Sequence, residues 1–275
     1  MKFDLKVGVV GVLTLWILAA NSLSALASAG QDKEDIANSI IRYKAAIGAN
    51  PKNPENHLRL GRCYLMSGEA ANAADEFEQA VKLDSKNAEG YADLSRALLR
   101  QGDVNGAIKQ LKEALMLAPK DADYHFRLGL LLARTNDSNA AIKELEQAVA
   151  HDPNHAGAHR ELGAAYGLVG NLDKEVFHEK EALGLHADDA DACFYLGSAY
   201  ALKGDLEQAQ LSLVKAVTLD QKNADSFQLL ATVCASQGHF DEARRYAQTA
   251  VDLNPKKKSY KDTLDKIKAA SEKAK

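Results

Sequence analysis

Apolar positions along this chain recur at helical spacing in paired stretches. In residues 54–87, Leu60 and Tyr64 mark one stripe, Ala73, Phe77, Ala80 and Val81 mark a second, and a polar break around Gly68 lies between them. Steps of three and four put each set on one face of a helix, so the segment predicts two amphipathic helices joined by a tight turn. The same pair returns every 34 positions, as Leu60-Gly61, Leu94-Ser95, Leu128-Gly129, Leu162-Gly163, Leu196-Gly197 and Leu230-Ala231. Twenty residues after each leucine stands an alanine: Ala80, Ala114, Ala148, Ala182, Ala216 and Ala250. A strict period of this length predicts a stack of small units, each completing its core against its neighbours.

The remaining columns have backbone reasons. Gly68, Gly102, Asn136, Gly170, Gly204 and Gly238 fall at the break between the helices, where a chain that stops and reverses takes a left-handed residue. Pro119, Pro153 and Pro255 end the second helix of their units. Small residues after each leucine let two helix backbones approach closely.

Leu-Gly-x-x-Tyr, Gly four residues on, then the Ala, Phe, Ala and Pro columns, together resemble the tetratricopeptide repeat. The resemblance implies an all-α fold, a right-handed α-solenoid of helix-turn-helix repeats. It divides residues 54–257 into six units, 54–87, 88–121, 122–155, 156–189, 190–223 and 224–257. Residues 30–53 resemble an N-terminal half repeat, with Tyr43, Ala46, Ile47 and Pro51 in second-helix columns, and residues 258–275 a basic capping helix with Tyr260, Leu264 and Ile267 on one face. Family members bind other proteins, so the resemblance implies a binding role without naming the partner.

Residues 1–29 differ in kind. Lys2 and Lys6 precede an uncharged apolar run from Val7 to Ala20 and a small-polar stretch to Ala29. This is the pattern of a secretory signal, cleaved after Ala27 or Ala29, or else of an N-terminal membrane anchor over residues 7–29. Either reading places the repeats beyond the cytoplasmic membrane of a bacterium, in the periplasm or secreted.

The net charge is −4, but it is unevenly spread. Residues 256–275 hold eight lysines against three acids, the composition of a solvated cap or of a surface for an anionic partner. Seven of the ten arginines lie on first helices of the first four units: Arg59, Arg62, Arg96, Arg100, Arg127, Arg134 and Arg160. In arrays of the resembled family the first helices line the concave face. Guanidinium groups there suit a carboxylate-rich ligand, either an extended peptide or a helix. Glu55, Glu89, Asp93, Asp123 and Glu161 stand close by in sequence, so ion pairs between neighbouring helices are the competing reading. Phe194 and Tyr195 replace charge further along, as an apolar section of the groove or as packing between units.

Chemistry is otherwise sparse. The chain has no phosphate loop, nucleophile elbow or paired metal motif, so no catalytic residue, metal site or cofactor is expected. Pro153 separates His151, His155 and His159, which read as loop histidines. Cys63, Cys193 and Cys234 sit in core columns and read as buried packing residues. The fourth unit is irregular: Glu175 and Glu179 stand in close-packed columns, which predicts either a rotation bringing Val176 and Phe177 inward or a bend in the array. The function expected is a non-enzymatic scaffold holding a segment of another protein, with no nucleic acid as partner. The alternative is a self-associating protein whose half repeat, through Ile36, Ile40 and Ile41, docks on another copy.

Overall fold

The computed structural model describes residues 33–274, and the stretch 1–29, expected to be a leader or anchor, lies outside the described residues. Within them every regular element is a helix. Helix α1 spans 33–49. After it come α2 (Pro54–Ser67), α3 (Ala70–Leu83), α4 (Ala88–Arg100), α5 (Val104–Leu117), α6 (Ala122–Arg134), α7 (Ser138–His151), α8 (Ala156–Leu168), α9 (Leu172–Leu185), α10 (Ala190–Lys203), α11 (Leu206–Leu219), α12 (Ala224–Ser236), α13 (Phe240–Leu253) and α14 (Lys258–Lys273). They fall into two compact units, one ending at Pro119 and the other beginning at Lys120. In each unit, consecutive helices pack as hairpins and successive hairpins stack, the arrangement of an α-solenoid.

Helix starts are set by side chains that accept from free amides of the first turn. Asn53, Asn87, Asp103, Asp121, Asp137, Asn171, Asp189, Asp205 and Asn223 all do so. Reversals between paired helices use the column that the period singles out. Its five glycines have φ between 79° and 88°, and Asn136, the lone non-glycine, has φ 60°.

The leucine column is the spine of the core: Leu60, Leu94, Leu128, Leu162, Leu196 and Leu230 are all buried. Each contributes on the order of 1.5–3 kcal/mol. The small residue after the leucine is fixed by contact. A Cβ on Gly61 would lie 2.6 Å from the Phe77 ring, and one on Gly197 would lie 2.6 Å from Leu213 Cγ. Helix α1 closes the front of the first unit, with Ile40, Tyr43 and Ile47 packed on the cluster around Leu60 and Phe77. At the far end of the second unit α14 buries Tyr260, Leu264 and Ile267 against α12 and α13.

The fourth hairpin departs from expectation. Helix α9 does not rotate: Glu175 and Glu179 are 4% and 0% exposed, while Phe177 is 55% exposed. Its phase is held by buried Ala182 and by Val176 and Leu183, which pack on the next hairpin's core. A turn of the helix would lose those contacts.

Candidate partner-binding face

In the first unit the arginines of α2 and α4 form two kinds of contact. Arg59 pairs with Glu55 at 2.6 Å, both half exposed, and also bonds to the Tyr43 hydroxyl of α1. Arg62 instead reaches the next first helix, meeting Glu89 and the buried Asp93 at 2.6 Å each, and Arg96 meets the same Asp93. Arg100 donates to the Leu65 carbonyl at 2.6 Å. Asp93 is thus a buried anion clamped by two guanidiniums, and its neighbours tie the two first helices together.

The second unit repeats this division. Arg127 pairs with Asp123 one turn back on α6, at 2.5 Å. Arg160 bridges Glu161 and Asp189 at 2.8 and 3.1 Å, linking α8 to the start of α10. Arg134 lies exposed at the end of α6 and makes no ion pair among the described residues. Further along, Phe194 and Tyr195 are half buried, edge to face at 5.5 Å. They line an open cleft of about 500 Å³ with Asp191, Asn223, Asp225, Gln228, Leu229 and Thr232. Phe194 also packs on the core cluster, so it serves both as cleft wall and as packing. Asp225 accepts from Lys257 at 2.6 Å and from the Tyr260 hydroxyl at 2.8 Å, and these bonds lower its pKa. The basic cap is tied to the preceding first helix by that contact.

Histidines form a column that the period contains but that pattern reading passed over. His57 Nδ1 meets Glu76 at 2.7 Å, and His125 Nδ1 meets Glu144 at 2.7 Å, each nineteen residues on. In the fourth hairpin the same pair is His159 and His178, 3.1 Å apart. His159 Nε2 donates to the Pro153 carbonyl, so its Nδ1 accepts from His178. His159 is therefore a buried helical residue and not a loop histidine, while His155 caps α8 by accepting from the Ala158 amide. Adding 19 to each member of the period would have found this column. Burial, reinforced by His159 and Lys174, pushes the His178 pKa down to about 4.

Beside this pair lie the two carboxyls. Both Glu179 oxygens and Oε2 of Glu175 are buried without a hydrogen-bond partner. Desolvation pushes Glu179 up to about 10, with Glu175 adding to the effect, and Glu175 itself up to about 7. Gly163 and Gly167 of α8 make room for them: a Cβ there would come within 2.6 Å of Glu179 and 2.7 Å of Glu175. The three cysteines are buried free thiols, and burial raises Cys234 to about 11, which leaves it a poor nucleophile. No group of three or more metal-ligating side chains converges among the described residues, and no described helix is long and apolar enough to cross a membrane.

Family models of the tetratricopeptide repeat match residues 24–88, 65–135, 122–155, 190–223 and 224–257. No curated protein matches the chain. Among solved structures it is similar to the APC/C assembly Cut9–Hcn1, with TM-score 0.66 and 17% identity over 86% of this chain and 46% of that one. It therefore spans less than half the length of that relative. It is also similar to YrrB, a repeat protein described as having an unusual peptide-binding site, with TM-score 0.59 and 22% identity over 67% of this chain and 95% of that one. A third is MamA of Desulfovibrio magneticus RS-1, with TM-score 0.58 and 24% identity over 61% and 95%.

Proposed function

This chain belongs to the tetratricopeptide repeat family, whose fold implies a protein-protein interaction scaffold, and we propose that it serves as a non-enzymatic adaptor of the bacterial envelope. Its ligand is a segment of another protein, acidic where it meets the first-helix arginines and apolar where it meets Phe194 and Tyr195. The observation that carries this reading is the division among the arginines. Arg62, Arg96 and Arg160 are committed to carboxylates that tie helices together and Arg59 is shared between Glu55 and Tyr43, whereas Arg127 is paired only with Asp123 on its own helix and Arg134 is exposed and makes no ion pair among the described residues. Surface pairs are worth at most about 1 kcal/mol, so an incoming carboxylate can displace Asp123 from Arg127 at little cost. Residues 1–29 support placement beyond the cytoplasmic membrane, either free after cleavage or tethered.

A photo-reactive residue at Tyr195 or Arg134, with a control at Lys109 on α5, tests the assignment in the native host. We expect one protein to be captured from the two first-helix positions and not from the control. Equal capture at all three would remove the face as the binding site.

A second reading, self-association through the half repeat, draws on the exposure of Ile41 at 67% and, separately, on an open cleft lined by Asp35, Ile36, Ser39, Cys63 and Met66. Ile40, by contrast, is already packed in its own chain. Light scattering decides it: a monomer at high concentration excludes this reading, and a concentration-dependent dimer supports it.

A further inference from the structure

Every other hairpin packs its second helix with alanine in the Glu175 column and with Phe, Leu or Ala in the Glu179 column. The fourth keeps the packing geometry and replaces both with carboxyls, one of them fully enclosed with neither oxygen bonded. The surroundings offer little compensation. From α8, Arg160 favours the Glu179 carboxylate only weakly, because it is bonded to Glu161 and Asp189, whose charges oppose it, and Tyr166 bonds to Glu146 and Lys174. His159 and His178 bond to each other. From α10, Cys193 and Tyr195 are themselves held neutral by burial. An ionised carboxylate cannot remain in such a place, because nothing replaces the water it gave up.

We infer that the fourth hairpin is a proton-controlled weak point: it stays packed while these carboxyls are protonated, and α9 leaves the Gly163–Gly167 face of α8 when they ionise. The sign follows from proton counting. In the opened hairpin both groups return to the ordinary carboxylate range, so the packed state binds more protons between that range and the raised one. Opening therefore becomes more favourable as pH rises, about tenfold per pH unit for each carboxyl still within its interval. Glu175 leaves its interval at about 7, and Glu179 remains in its own to about 10. His178 works in the opposite direction. Its packed form is neutral, so it favours opening only as pH falls below its usual 6.5, and it is silent above 7. Because α8 carries Arg160, opening also dismantles that section of the first-helix face.

Hydrogen exchange on the full chain at pH 7 and pH 8.5, corrected for the intrinsic rate, tests this, with α11 as internal reference. We expect protection of residues 172–185 to fall about 30-fold relative to residues 206–219. The paired substitution Glu175→Ala with Glu179→Leu, which restores the residues of the other units, should make the ratio flat. Glu179→Gln, which cannot ionise, should do the same and serves if the pair fails to fold. Protection of α9 that tracks α11 at both pH values would overturn the inference, as would a fall that persists in these variants.

Discussion

Glu179 sits where a leucine or phenylalanine would stabilise the hairpin, and its neutral form is tolerated only because Gly163 leaves it room. Two outcomes follow at this scale. Glu175→Ala with Glu179→Leu should stabilise the chain by about 1–4 kcal/mol near pH 8, with a smaller gain near pH 5, read from denaturant midpoints. Destabilisation at pH 8 would contradict the burial described. Gly163→Ala should cost about 1–3 kcal/mol, because its Cβ would press on a carboxyl boxed in by the hairpin. The irregularity of these two positions was legible in the sequence, but the outcome was not. Periodicity alone suggests that a helix turns to avoid burying carboxylates. Protonation removes most of the charge penalty, and the contacts of Val176, Ala182 and Leu183 outweigh what remains.

At the scale of helices, the columns of the repeat account for starts, turns and close approaches, because each has a local cause: an Asn or Asp cap, a left-handed glycine, a glycine facing a large side chain. The arginines are harder to read, since residue type and face were visible but reach was not. Arg62 and Arg160 extend to the following first helix and Arg59 also reaches Tyr43 on α1, whereas Arg127 folds back on its own helix. This difference predicts unequal costs. Arg62→Ala leaves the buried Asp93 with Arg96 alone and should destabilise by about 1–2 kcal/mol, discounted for the partial exposure of the guanidinium. Arg127→Ala should stay within about 0.5 kcal/mol. Thermal melts of the two variants in parallel check the ordering, and equal effects would contradict it. The cap helix has its own tie. Asp225→Asn should loosen α14 at neutral pH, seen as faster exchange in residues 258–273 than in α12. Asp225 is held below its usual pKa by Lys257 and Tyr260, so that tie is present above about 3.8 and is lost as pH falls through the depressed value.

For the molecule as a whole, the period specifies an all-α solenoid, because repeats fold by nearest-neighbour contacts that a fixed spacing encodes. What the chain holds is not periodic, and so it was far less legible. Specificity lies in exposed variable positions whose availability depends on which neighbours already claim them. We propose that Arg127 and Arg134, which make no bond to a neighbouring helix among the described residues, receive an acidic segment. Titration of the full chain with matched acidic and basic peptides, each carrying one aromatic residue, addresses it most directly. The account predicts that the acidic peptide binds more tightly, that its affinity falls with salt, and that Arg127→Glu and Arg134→Glu together abolish it at unchanged helicity. Tighter binding of the basic peptide, or acidic binding that survives the double reversal, would contradict it.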